Sequence, residues 1–164
     1  MHKSRGFTLL EILVVILISG LLSTLVIVSF NRQSAEQLLI EEAATLSALV
    51  AQACREALLQ SRNIGLRLGP DGYQFMLQTE SLWQAVIDPT SPWRQRPWRE
   101  VKDIRLSSQG QVVKLDSNPD QPNVFCLASG ELLPFELRLV NTDRKEIILQ
   151  GLSSGRIQRQ GQRL

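Results

Sequence analysis

The sequence predicts an α+β fold in which one long N-terminal helix packs on an antiparallel β domain. Three observations support this prediction. Residues 12–31 carry no charge, residues 33–60 contain neither Gly nor Pro, and the segment from residue 72 onward consists of short alternating runs between turn residues. With 164 residues, the chain has room for one domain of ordinary size beyond the first helix.

The N-terminal part has the length and composition of a membrane span. Ile12–Asn31 is uncharged over 20 residues, about what a helix needs to cross the hydrocarbon core. Before it stand His2, Lys3 and Arg5, which favour a cytoplasmic N-terminus and place the bulk of the chain outside the cytoplasm. A secretory signal peptide is the alternative, but it requires a short apolar region followed by small residues, whereas Gly6 precedes this long run.

The second part of the predicted helix is amphipathic. Six apolar residues recur at spacings of four and three and form one stripe: Leu39, Ala43, Leu46, Val50, Ala53 and Ala57. Asn63 and Gly65 provide a plausible end. The pattern therefore predicts a single helix from Phe7 to about Ser61, whose stripe covers one face of a sheet. The paired acids Glu41 and Glu42 are expected on its solvated side.

The remainder predicts strands. Short apolar-alternating runs occupy residues 72–79, 101–107, 111–116, 123–128, 135–140 and 145–151. The sequence Gly-Pro-Asp-Gly at 69–72 predicts a turn, and residues 117–123 predict a loop. We expect these strands to pair antiparallel.

Residues that could support catalysis are scarce. The only histidine is His2, and the two cysteines do not provide the clustered ligands of a zinc site. No phosphate-binding glycine loop is present, and the formal charge of +2 gives no strong nucleic-acid footprint. We therefore expect an assembly protein rather than an enzyme, with no cofactor and no metal.

Cys54 and Cys126 are expected in an oxidising compartment, because they follow the predicted span. Two states are open to them. They could form a disulfide between the helix and the sheet, or they could remain reduced as small buried hydrophobic residues.

Glu11 is the one acid within the apolar N-terminal run. A carboxylate near the bilayer centre costs roughly 2.5–3.5 kcal/mol on insertion scales, so its presence requires a reason. The order glycine, aromatic residue, Thr-Leu-Leu-Glu and uninterrupted apolar helix resembles the class III signal of type IV pilins and type II secretion pseudopilins. This resemblance implies a type IV pilin-like fold.

In that family an inner-membrane prepilin peptidase cuts after the glycine, here between Gly6 and Phe7, and methylates the new amino terminus, here on Phe7. The family's glutamate matches Glu11, which would pair with the Phe7 amine of a neighbouring subunit and thereby set the register of a dry filament core. The alternative is an interfacial Glu11 solvated by lipid headgroups. The resemblance divides the chain into a cytoplasmic leader, 1–6, a transmembrane and filament-core helix, 7–31, and a periplasmic domain, 32–164. That domain comprises an amphipathic half-helix, 32–62, and a β domain, 63–164.

The C-terminal half resembles the GspH family, the minor pseudopilin H of type II secretion. The resemblance rests on residues 124–139 and 149–158, and the matching positions are Ser129, Gly130, Glu131, Pro134 and Phe135. Cys126 and Ala128 depart from the family pattern. Read without the family, residues 129–139 predict a hairpin with Gly130 at its turn.

This second resemblance implies a structural subunit at or near the tip of a periplasmic pseudopilus that drives the export of folded exoproteins. It implies a protein of the Gram-negative inner membrane, with the prepilin peptidase and the other pseudopilins, both tip complex and major subunit, as partners. The secretin and the exoprotein are further candidate partners.

Two further segments leave alternatives open. The repeat Pro-Trp-Arg at 92–99 could form a partner surface, because Trp and Arg are favoured at interfaces, or Trp93 and Trp98 could fix an irregular loop onto the β domain. The C-terminal segment contains Arg156, Arg159 and Arg163. FimT-like minor pilins of type IV pili use a basic Gly-Arg-x-Arg tail to hold DNA, but here the second arginine comes one place later. An ordinary solvated tail is therefore expected, and nucleic acid is not expected as a partner. The alternative function is that of a FimT-like minor pilin of a type IV pilus, involved in pilus assembly or DNA uptake.

Overall fold

The computed structural model describes residues 9–30, 34–115 and 120–163. The chain divides into two compact units after Ser34. The predicted α+β class is confirmed: helices come first, and every strand pairing among the described residues is antiparallel.

The first unit contains helix α1, Leu9–Phe30. From Leu9 to Ile18 its large apolar side chains are exposed, which is the reverse of what a helix in a folded core shows. Within the ranges described, no helix is both long enough and apolar enough to cross a membrane.

The second unit begins with helix α2, Ala35–Leu59. The prediction of one uninterrupted helix from Phe7 to Ser61 is wrong at Ser34, which is not helical; residues 31–33 lie outside the described ranges. The sequence gives a reason, because serine is a preferred N-cap and Ser34 with Gln37 has the spacing of a capping box.

Ten strands follow α2. In chain order they are β1 Ile64–Gly69, β2 Gly72–Thr79, β3 Leu82–Ala85, β4 Arg96–Pro97, β5 Val101–Ser108, β6 Gln111–Val113, β7 Val124–Cys126, β8 Phe135–Asn141, β9 Glu146–Gly151 and β10 Ile157–Arg163. They form two sheets. The first has the order β3-β2-β1-β7, with β4 also paired to β2, and the second has the order β10-β9-β8-β5-β6.

Helix α2 packs against both sheets, with contacts to β1 and β7 of the first and to β8, β9 and β10 of the second. The predicted stripe is confirmed, since all six of its residues are at most 2% exposed. The opposing side chains come from alternate positions, as in β8, where Phe135, Leu137 and Leu139 are buried. The helix thus closes one core together with the two sheets.

Most predicted strands are present, and residues 72–79 coincide with β2. The predicted turn at 69–72 joins β1 to β2 as a hairpin. Residues 120–123 form no strand, as expected for the loop, and residues 116–119 lie outside the described ranges. Four strands went unpredicted. In β1 nearly every position is buried, so no alternation is visible, β3 and β4 are short, and β10 is predominantly polar.

Candidate assembly site

Glu11 lies in the first turn of α1, where an acid interacts favourably with the positive end of the helix dipole. Its side chain is exposed, as are the apolar side chains that follow it. Leu13, for example, is 60% exposed and Ile16 67%. Gly6 and Phe7, the predicted cleavage and methylation residues, lie outside the described ranges. The described part of α1 is therefore an apolar surface with one carboxylate near its start.

The cysteines join α2 to the first sheet. Cys54 lies on α2 and Cys126 on β7, and their sulfur atoms are bonded, with the two Cα atoms 4.8 Å apart. Both residues are at most 3% exposed. Of the two states that the sequence left open, the structure therefore shows the disulfide, and the bond is buried in the core.

The segment 127–131 forms a tight turn after β7. Leu127 N donates to Glu131 O and Gly130 N donates to Leu127 O, each at 2.8 Å. Gly130 has φ of 83°, a conformation that glycine adopts without a steric penalty. The turn is placed as predicted, and it closes a short hairpin, because Cys126 and Leu132 form an antiparallel bridge. The alternating strand that follows, β8, then pairs in the second sheet, whereas β7 belongs to the first.

This turn lies against the end of α2. Ala128 N donates to Asn63 Oδ1 at 2.7 Å, and a Cβ added at Gly130 would come within 3.2 Å of the Leu58 side chain. The segment that resembles the GspH pattern is therefore the crossover between the two sheets, held at the C-terminal end of α2. The alternation of apolar residues in the sequence could not reveal this crossover, because alternation does not specify which strand a segment pairs with.

The tryptophans of the Pro-Trp-Arg repeat fix their loop to the first sheet. Trp98 Nε1 donates to Gly69 O at 2.8 Å, and the Trp98 ring lies 4.9 Å from that of Tyr73. The Trp93 ring lies 6.4 Å from that of Phe75. The second alternative for this repeat is thus the observed one for the tryptophans, whereas Arg94 is exposed.

The C-terminal segment is a strand and not the expected solvated tail. Residues Ile157–Arg163 form β10, whose backbone pairs with β9 at the edge of the second sheet. Pairing satisfies backbone groups that β9 would otherwise leave open. The side chains of Arg156 and Arg159 are exposed on this edge.

The expectation that Glu41 and Glu42 both lie on the solvated side of α2 is wrong for Glu42. Glu42 is only 6% exposed, and burial raises its pKa while the guanidinium groups of Arg99 and Arg96 act in the opposite direction. The sequence contained a signal for this position, because Glu42 stands seven residues before the buried Leu49, on the same edge of the helix. In the described part of the chain no three His, Cys, Asp or Glu side chains cluster as a metal site would require.

Comparison with known proteins gives consistent results. The family model of the prokaryotic N-terminal methylation motif matches residues 1–27. Type II secretion system protein H of Pseudomonas aeruginosa is 35% identical over 146 residues, covering 85% of this chain and 84% of that protein. The protein of the same name from Escherichia coli is 29% identical over 160 residues, which cover 94% of this chain and 92% of that protein.

Solved structures show the same fold. The crystal structure of the minor pseudopilin EpsH from the type II secretion system of Vibrio cholerae superposes with a TM-score of 0.65 at 18% identity, covering 78% of this chain and 99% of that one. The solution structure of Escherichia coli GspH gives a TM-score of 0.62 at 22% identity, covering 80% of this chain and 94% of that one.

Proposed function

The chain belongs to the type II secretion system protein H family, the minor pseudopilins of that system, and from this premise we propose a role at or near the tip of the periplasmic pseudopilus. There it is a structural subunit that helps to drive folded exoproteins through the outer membrane. One observation carries the proposal. Helix α1 leaves its apolar side chains exposed from Leu9 to Ile18, while residues 35–164 bury a core of their own.

The exposed apolar helix needs an environment that this chain does not supply. Before assembly that environment is the inner membrane, crossed by residues 7–31, and after assembly it is the bundle of N-terminal helices in the filament. The sequence supports this arrangement through its 20 uncharged residues and the positive charges that precede them. Residues 32–164 then lie in the periplasm of a Gram-negative bacterium, an oxidising compartment in which the bond between Cys54 and Cys126 forms.

Processing precedes assembly. The prepilin peptidase cuts between Gly6 and Phe7 and methylates the Phe7 amine, as the match of residues 1–27 to the methylation motif supports. In the filament, Glu11 pairs with that amine on a neighbouring subunit. A carboxylate in a dry helix bundle is costly unless it is paired, so any other stagger between subunits is penalised.

The partners follow from this position. They are the other pseudopilins, both those of the tip complex and the major subunit, together with the peptidase during maturation. The secretin and the exoprotein are candidate contacts of the periplasmic domain.

The experiment combines processing with secretion. We express the full chain in cells that lack their own copy and analyse it by mass spectrometry. The wild-type protein should begin with methylated Phe7 and restore secretion, whereas Gly6→Val should leave a longer precursor and restore none. Ser4→Ala, a change within the same leader, serves as the control and should be processed. Intact Met1 on protein from cells that secrete normally would contradict the proposal.

A further inference from the structure

A cavity of about 250 Å³ opens between the first half of α2 and the loop that carries the Pro-Trp-Arg repeat. The function proposed above makes no use of it. The lining side chains that concern us are Glu41, Glu42, Tyr73, Arg94, Arg96 and Arg99. All of them belong to the second compact unit, so the cavity is a feature of the folded domain.

The cavity carries an excess of positive charge. Three arginines face two glutamates, which leaves one formal positive charge. The more buried acid, Glu42, is already under the influence of Arg99 and Arg96, which favour its ionised form. A cationic guest would therefore meet three guanidinium groups, whereas an anionic guest would neutralise the site.

Two buried hydrogen-bond donors of residues at this cavity have no partner among the residues that the structure describes: the hydroxyl of Tyr73 and Nε of Arg96. Tyr73 is 2% exposed, and the groups that act electrostatically on its phenol are Glu42, Arg96 and Arg94, all of which line the cavity. Tyr73 is thus a buried residue in the wall of the cavity. Buried donors without partners are rare in folded proteins, and both of these belong to residues in the wall of one cavity, where an acceptor could satisfy them.

We propose that this cavity binds the carboxylate of an aspartate or glutamate side chain on a neighbouring pseudopilin. A carboxylate offers only acceptors, matches donors from guanidinium and phenol groups, and forms strong charge-assisted hydrogen bonds with arginine. Arg94 and Arg99 are exposed at the rim, where they can attract the incoming acid. The identification of the partner rests on the proposed function, while the chemistry of the site rests on the cavity.

The competing explanation is internal. The Tyr73 hydroxyl could serve only the fold, through contact with Glu42 in the same chain. Tyr73→Phe separates the two, because it keeps the ring that packs on Trp98 and removes only the hydroxyl. If the hydroxyl awaits a partner protein, its removal weakens association and leaves the melting temperature equal or higher, since an unpaired buried donor is lost. If it serves the fold, the melting temperature falls and association is unchanged.

The experiment uses the full chain in cells with a working secretion system. A photo-cross-linking amino acid replaces Gln95, an exposed residue that lines the cavity. We expect a cross-link to another pseudopilin, with an Asp or Glu in the cross-linked peptide. Tyr73→Phe and Arg94→Gln should each lower its yield about tenfold, as expected for loss of one charge-assisted hydrogen bond. Arg105→Gln removes an exposed charge from β5, outside the cavity, and should have no effect.

The acid itself provides the decisive test. Replacing the identified Asp or Glu by Asn or Gln should lower the cross-link as much as Tyr73→Phe does, and the two changes together should add little. A cross-linked peptide without an acid, one whose lysine or arginine occupies the cavity, or a yield that Tyr73→Phe leaves unchanged would overturn the proposal.

A second cross-linker at Val14 of α1 tests the proposed function separately. Cross-links from Val14 without any from Gln95 would overturn the cavity proposal alone, and the absence of cross-links from both positions would overturn the proposed position in the filament.

Discussion

The two helices use apolar side chains in opposite ways. In α1, Leu13 is 60% exposed, whereas in α2 Leu46 is 2% exposed. The helices are similar in length, 22 and 25 residues, so length does not explain the difference. The helices differ in the pattern of their apolar residues. In α2 these residues form one buried stripe, with polar residues on the other side, whereas α1 is apolar on all sides. One sheet surface can cover a stripe, but it cannot cover a helix that is apolar on every side.

Apolar side chains in this protein are therefore treated in two different ways. The apolar stripe of α2 is covered by the chain's own sheets, while the apolar side chains of α1 from Leu9 to Ile18 are exposed and, in the function proposed above, are covered by lipid or by other subunits. Changes in α1 should therefore alter assembly and leave the domain's free energy of unfolding unchanged, and changes in α2 should do the reverse. Each of the following predictions tests one side of this separation.

The largest expected effect concerns Glu11. Glu11→Ala should leave cleavage intact, because the cut depends on Gly6, but should sharply reduce incorporation into the pseudopilus. Breaking one side of a buried ion pair costs about 3–5 kcal/mol, because the remaining charge is stranded. Glu11→Asp should be intermediate, since the charge remains and the reach shortens. Secretion and cross-linking to other pseudopilins, at native expression, measure the effect.

Glu80→Ala, an exposed acid between β2 and β3, is the control for Glu11→Ala. Normal secretion and normal cross-linking by Glu11→Ala, with processing intact, would rule out a required pairing. A subunit at the very tip has no neighbour above it, so its dependence on Glu11 should be smaller than that of the major subunit.

The second prediction concerns the domain alone. A fragment that begins at residue 33 keeps the buried stripe and both sheets, and it should be soluble and folded, with mixed helix and strand by circular dichroism. In this fragment, replacing both cysteines by serine should lower the free energy of unfolding by about 4 kcal/mol on the chain-entropy model, because the bond joins residues 72 apart. Urea unfolding with and without a reductant measures the loss.

An unfolded fragment would mean that the stripe is an interface between subunits and not a domain core. Equal stability of the oxidised and reduced fragments would show that the bond between Cys54 and Cys126 does not constrain the chain.

The third prediction compares two leucines of α2. Leu46→Ala should destabilise the fragment by about 3 kcal/mol, because it leaves a cavity between the helix and the sheets. Leu59→Ala, at a position that is 78% exposed, should change the free energy of unfolding by less than about 0.5 kcal/mol. Similar losses in both variants would contradict the assignment of one buried face to α2.

Periodicity predicted what local pattern can encode. The stripe from Leu39 to Ala57 and the alternation in β8 follow from one helix face or one sheet face being buried. Pattern did not reveal that β7 and β8 enter different sheets, since pairing depends on partners far along the chain. Nor did it reveal β10, whose polar residues form a strand because β9 offers an open edge.

The functional features show the same limit: sequence pattern reveals what is local and not what distant segments bring together. Glu11 was conspicuous because a charge interrupts an apolar run, whereas the cavity beside Tyr73 depends on a loop that folds back from residues 94–99. The spacing of Glu42 to Leu49 indicates the buried side of α2, but an acid adjacent to another acid is normally solvated, so this burial was not predicted.

The smallest expected effect concerns Glu42, whose carboxylate is buried, whereas that of Glu11 is exposed. Burial raises the pKa of Glu42 above its ordinary value of 4.5, so the folded state favours the protonated form. The associated stabilisation is fully present below pH 4.5 and is lost as the pH rises through the raised pKa. At neutral pH, Glu42→Gln should therefore raise the melting temperature of the fragment, and this gain over wild type should shrink as the pH approaches 4.5. Thermal unfolding at several pH values, with Glu80→Gln as the exposed control, measures it. If Glu42→Gln instead lowers the melting temperature at neutral pH, attraction to Arg99 and Arg96 outweighs the cost of burial, and the carboxylate stabilises the domain as an ion pair.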